Sequence, residues 1–120
     1  MASDWYTIVI DAHDPRVLGR FWADALGYRV MFEDDEEVVI AQGEDAYPGI
    51  CFVPADEEKT LKNRLHIDLN PDDQYAEVIR LLALGARRVN IGQGNVTWVV
   101  LADPEGNEFC VLRRHEDLVS

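Results

Sequence analysis

Basic residues are scarce in this 120-residue chain: 11 Lys and Arg stand against 23 Asp and Glu, a formal net charge of -12. The few cations are scattered, and such a chain repels a phosphate backbone, so no nucleic-acid partner is expected. Long apolar runs are lacking too. None approaches the ~20 residues of a membrane span, and the start Met1-Ala2-Ser3-Asp4 has neither the basic nor the apolar region of a signal peptide, so a cytoplasmic protein without membrane contact is expected. There are only two cysteines, Cys51 and Cys110, too few for a disulfide scaffold, and no CxxC pair suggests a zinc or redox motif. What is abundant is apolar character: 48% hydrophobic residues suffice to bury one continuous core, and one domain over 1–120 is expected.

The apolar residues fall into a pattern that occurs twice. Residues 5–12 are aromatic and β-branched and read as a strand. Asp14-Pro15 then reads as an N-cap with proline at the first helical position, followed by a stripe of Val17, Leu18, Phe21, Trp22, Ala25 and Leu26 and a terminating Gly27. Three strands are expected next, at 28–33, 37–41 and 49–53. After a polar linker over 54–63 the order returns: a strand at 64–69, a helix from near Pro71 burying Tyr75, Val78, Ile79, Leu81 and Leu82 up to Gly85, and strands at 87–91, 96–102 and 108–113. Thr7 aligns with His66, Asp14 with Asp73 and Cys51 with Cys110, each 59 residues on. The expected fold class is α+β: tandem βαβββ repeats, 5–54 and 64–113, forming a curved mixed sheet with helices on its outer face and a concave face open to a ligand.

Strand alternation sorts the faces. Leu65, Ile67 and Leu69 oppose Arg64, His66, Asp68 and Asn70; Ile50 and Phe52 oppose Cys51; Phe109 and Val111 oppose Glu108 and Cys110. Thr7, Cys51, His66 and Cys110 therefore take matching inner positions of the two repeats. The expected ligand-binding set is Thr7, Cys51, Arg64, His66, Asp68, Trp98, Glu108 and Cys110, with Trp5, Trp98 and Val9 as apolar walls. His66 is the candidate catalytic residue.

Several segments carry a family resemblance: Asp14-Pro15 through Phe21-Trp22 to Leu26-Gly27, His66-Ile67-Asp68-Leu69, Leu84-Gly85-Ala86, and Trp98 through Asp103-Pro104-Glu105-Gly106-Asn107. The last is the most specific, and physically it is a turn signal. Together they make the chain similar to the glyoxalase/bleomycin-resistance/dioxygenase (vicinal oxygen chelate) superfamily, in particular its bacterial glyoxalase-like members. Metal-dependent members hold a divalent cation with His and Glu from the first and last strands of each repeat. Carried over, those positions are Thr7, Cys51, His66 and Cys110, of which only His66 is a typical ligand for that kind of site. No cofactor is therefore expected, with a divalent metal as the alternative.

The resemblance implies a cavity that binds a small, partly aromatic molecule without the family's usual metal site. The alternative is a lyase, isomerase or dioxygenase in which His66 works with a divalent metal or as a general acid or base. A homodimer agrees with the resemblance, since family members often pair. The acidic runs Asp34-Asp35-Glu36-Glu37 and Asp56-Glu57-Glu58 read as solvated turns rather than as a surface for a basic protein.

Overall fold

The computed structural model describes residue 2, residues 4–63 and residues 65–114. Its chain divides into two compact units, Met1–Glu58 and Lys59–Ser120, the division falling inside the expected linker. Each unit is a βαβββ repeat.

In the first unit, β1 (Thr7–Ala12) leads into α1 (Pro15–Leu26), followed by β2 (Arg29–Glu33), β3 (Val38–Ala41) and β4 (Gly49–Pro54). The strands form one four-stranded sheet in the order β1-β4-β3-β2. The first pair is parallel and the others antiparallel, so the sheet is mixed. The helix begins where the sequence places it: Asp14 accepts the backbone N–H of Val17 at 3.2 Å, and Gly27 ends the helix at a φ of 67, which only glycine adopts at little cost. Leu18, Phe21, Trp22 and Ala25 of the expected stripe are buried, whereas Val17 is exposed.

The sheet face beneath α1 is set by alternation. Val38 and Phe52 are register partners on neighbouring strands and are completely buried. Gly19 lets the helix approach them, because a Cβ there would lie 2.7 Å from Val38 Cγ1 and 3.4 Å from Phe52 Cδ2. Val38 is β-branched and cannot swing away without leaving its rotamer. Gly19→Ala is therefore expected to lower stability by about 1 kcal/mol, overpacking outweighing the gain in helix propensity. Urea denaturation checks this, and a stabilised variant would mean that helix and sheet separate easily.

The second unit repeats the plan with β5 (Asp68–Leu69), α2 (Gln74–Leu84), β6 (Arg87–Arg88), β7 (Val99–Ala102) and β8 (Glu108–Val111), in the sheet order β5-β8-β7-β6. Register is preserved between the copies. Val9 pairs with Cys51 in the first, and Asp68 pairs with Cys110 in the second, both partners 59 residues on. Phe109 and Val111 are buried, and Gln74 Nε2 ties the start of α2 to the Val111 carbonyl at 3.0 Å.

Here the structure departs from the sequence reading in several places, and the strands expected over 87–91, 96–102 and 108–113 shorten to β6, β7 and β8, because only those residues are paired. Helix α2 starts after Asp73 rather than near Pro71, because the Asp73 carboxylate caps it by accepting the Ala76 N–H at 3.1 Å. It buries Val78 and Leu81, an i, i+3 pair, and leaves Tyr75 and Ile79 exposed, so its packed face is narrower than the apolar stripe suggests. The strand expected over 64–69 narrows to Asp68–Leu69, and Leu65, placed by alternation under the helix, is exposed.

Candidate functional site

The open face of the second sheet carries the site. His66 and Asp68 from β5 and its approach, Val100 from β7 with Trp98 just before it, and Glu108 and Cys110 from β8 with Leu112 just after it line one pocket of about 280 Å³. The parallel pairing of β5 with β8 sets Asp68 directly opposite Cys110, and the Cys110 N–H donates to the Ile67 carbonyl at 3.0 Å. The main chain thus fixes how the two side chains meet.

At the polar end of the pocket, His66 Nε2 lies 3.1 Å from Asp68 Oδ1, both side chains about half exposed. The Cys110 thiol also hydrogen-bonds the Asp68 carboxylate. Burial pushes the Cys110 pKa up, the charge of Asp68 and its hydrogen bond raise it further, and the Lys62 ammonium opposes them, so the group is a protonated thiol at neutral pH. Metal-ligating atoms of His66, Asp68 and Cys110 all lie within 4.8 Å of one another. One carboxylate therefore bridges an imidazole and a thiol.

Glu108 reaches the same pocket but is already committed. Lys59 Nζ lies 3.0 Å from each of its carboxylate oxygens, the Asn63 N–H donates to Oε1 at 3.2 Å, and both charged side chains are largely buried. Burial acts to raise the Glu108 pKa, but the bond from Lys59 and the backbone bond at Asn63 outweigh it and hold the group below the usual carboxylate value. Glu108 anchors the segment 59–63, and with it Lys62 and Asn63, which also line the pocket.

In the first unit the matching positions behave differently. The Thr7 hydroxyl donates to the Ile8 carbonyl at 3.3 Å. Cys51 Sγ donates to Glu37 Oε2 at 3.2 Å, and burial, then that hydrogen bond and the Glu37 charge, push its pKa up to about 11. Neither position presents an imidazole or a carboxylate, so the four-residue His/Glu set of the metal-dependent relatives does not fit this chain. Trp5 and Val9 are exposed. Arg64 lies outside the described residues.

Sequence reasoning did not select Lys62, Asn63, Ile91, Gln93, Val100 or Leu112, all of which line the pocket. Val100 and Leu112 were reachable by alternation from Trp98 and Cys110. The others come from irregular segments, where no period applies.

This architecture, two βαβββ copies with an open face on each sheet, defines a class, and the comparisons agree with it. The family profile of the glyoxalase-like domain matches residues 7–112, so the chain belongs to that family. Among solved structures it is similar to a glyoxalase/bleomycin resistance protein/dioxygenase family enzyme from Burkholderia phytofirmans PsJN, at 18% identity and a TM-score of 0.71, covering 94% of this chain and 100% of that one. It is also similar to the fosfomycin resistance protein FosX from Mesorhizobium loti, at 15% identity and a TM-score of 0.67, covering 93% and 92%. A bleomycin-binding protein complexed with bleomycin matches at 16% identity and a TM-score of 0.59, covering 94% and 100%. No curated protein sequence matches the chain. At these identities the structural likenesses show the fold.

Proposed function

We propose that the pocket of the second unit binds a small, partly aromatic molecule. The observation that carries this reading is the division of the pocket into an apolar part, with Trp98, Ile91, Val100 and Leu112, and a polar part formed by His66, Asp68 and Cys110. Such a division orients a ligand whose ring stacks on Trp98 while an oxygen or nitrogen meets the polar cluster. A volume of about 280 Å³ limits the ligand to a single ring system with short substituents. Trp98 is 39% exposed, so part of its indole is open to a ligand. The bleomycin-binding neighbour lends the reading support by fold alone.

The test is calorimetry or ligand-observed NMR with a panel of small aromatic carboxylates, phenols and amides. Trp98→Ala is expected to weaken binding about tenfold, close to the 1.4 kcal/mol that one stacked ring contributes at the upper end. If no member of the panel binds, or if the variant binds as tightly as the parent, the reading is wrong.

A second reading, an enzyme, is favoured by one feature: the His66 to Asp68 contact at 3.1 Å. With the proton on Nε2 donated to Asp68, Nδ1 keeps its lone pair and serves as a general base, while the carboxylate stabilises the imidazolium that forms. Turnover of a bound ligand that is abolished by His66→Gln would favour this reading. We also propose that the protein is a cytoplasmic homodimer, and sedimentation velocity checks the dimer.

A further inference from the structure

We propose that the ligand of this pocket carries a carboxylate and that Lys62 is the residue that selects it. The inference rests on the small-molecule reading above and narrows its ligand class to aromatic acids.

The negative groups of the pocket are already committed. Asp68 meets the His66 imidazole and takes the hydrogen bond of the Cys110 thiol, and Glu108 takes the Lys59 ammonium and the Asn63 N–H. What remains unused is donor capacity. Lys62 lines the pocket and makes no ion pair or hydrogen bond with any described residue. Gln93 lines it as well, and its Oε1 accepts the Ile91 N–H at 2.8 Å, so the amide nitrogen is the end left for a ligand. A pocket whose acceptors are occupied and whose free groups donate is matched by a ligand end that only accepts. A carboxylate, with two oxygens and no proton, is such an end.

The fold holds Lys62 at the place where this counts. Lys59 before it and Asn63 after it are both tied to the Glu108 carboxylate, so the main chain that carries Lys62 is pinned beside the pocket. Its ammonium is near enough to the polar end for its charge to act on the Cys110 thiol. In a pocket of about 280 Å³, a ring lying on Trp98 leaves only short substituents to meet that charge.

Asp68 carries the opposing charge, so the sign of the preferred ligand is a contest between two residues. The Asp68 carboxylate is shared between an imidazole and a thiol, whereas the Lys62 ammonium keeps all three of its donors, and a charged donor strengthens each bond it makes to a carboxylate. The net charge of -12 favours cations at long range, so a preference for anions is the mark of a local contact rather than of the overall field.

The test compares three probes of nearly one shape, benzoate, benzamide and benzamidinium, by calorimetry or ligand-observed NMR near neutral pH. Benzoate is expected to bind about tenfold more tightly than benzamide, and benzamidinium most weakly. Lys62 is exposed, so Lys62→Met should fold as the parent does. It should weaken benzoate about tenfold and leave benzamide unchanged, while Lys62→Arg should keep the preference for benzoate. Benzamide binding as tightly as benzoate, benzamidinium binding best, or a preference that survives in Lys62→Met would overturn the proposal and leave the small-molecule reading standing. If none of the three binds, the proposal falls too, and the wider panel of phenols, acids and amides decides whether the pocket reading falls with it.

Discussion

Asp103→Ala is expected to lower the stability of the protein by roughly 3 kcal/mol, the largest loss expected of any single change considered for this chain. The carboxylate is 1% exposed and organises the turn between β7 and β8. Its Oδ1 accepts the backbone N–H groups of Glu105 at 3.0 Å and Asn107 at 2.9 Å, and both oxygens accept from Asn107 Nδ2. Alanine would leave two backbone donors and one amide without this acceptor, each loss costing about 1 kcal/mol or more. Asp103→Asn keeps one acceptor oxygen and is expected to recover about half of the loss. Urea denaturation with an unchanged slope is the measurement. A loss below about 1 kcal/mol would mean that Pro104 and Gly106, the latter at a φ of 88, hold the turn without the carboxylate.

That turn shows what the sequence made legible. Asp-Pro-Glu-Gly-Asn reads as a hairpin from the backbone demands of proline and glycine alone, and the structure adds that the aspartate is its organising acceptor. The same holds for Asp14 and Asp73, aligned by the repeat offset and both found capping their helices. Reading the second helix from Pro71 missed by three residues because proline also tolerates the stretch before a cap, whereas the side-chain acceptor decides the first turn. Leu65 was misplaced for a related reason. Alternation holds only where a strand is paired, and the paired part of β5 begins at Asp68.

The site was legible to the extent that strands build it. His66, Asp68, Glu108 and Cys110 were placed on one face by alternation and Trp98 was expected as an apolar wall, and all five line the pocket. Their roles depend on partners that no period reveals. Asp68 was expected among the ligand-binding residues although it does not stand at a family ligand position, and the structure adds that it is the group that joins His66 to Cys110. Cys51, the repeat partner of Cys110, is bonded instead to Glu37, a residue from an acidic run that read as a solvated turn. Lys59, Lys62 and Asn63 belonged to a segment read only as linker, and its irregular backbone gave no signal of where its side chains would land.

Glu108 supplies the second large expected effect, in which stability and ligand access are coupled. Glu108→Gln is expected to cost about 2 kcal/mol near neutral pH. The Lys59 ammonium, 17% exposed, loses its only charged partner in the set of described ion pairs, and the figure is kept below that of a fully buried pair because water still reaches both groups. The pH dependence has a definite sign. Glu108 is held below its ordinary value of 4.5 in the folded chain, so the unfolded state binds its proton first as pH falls. Its contribution is fully present above about pH 4.5, and it is lost as pH drops through the depressed folded value. The stability difference between the parent and Glu108→Gln should therefore be flat from pH 8 to about 5 and shrink below that, as read from urea midpoints at each pH. Because the same bonds anchor Asn63 and the segment that carries Lys62, the variant should also weaken binding of any ligand that fills the pocket. A difference that grew on acidification, or a variant as stable as the parent at pH 7, would show that segment 59–63 is held by something other than this carboxylate.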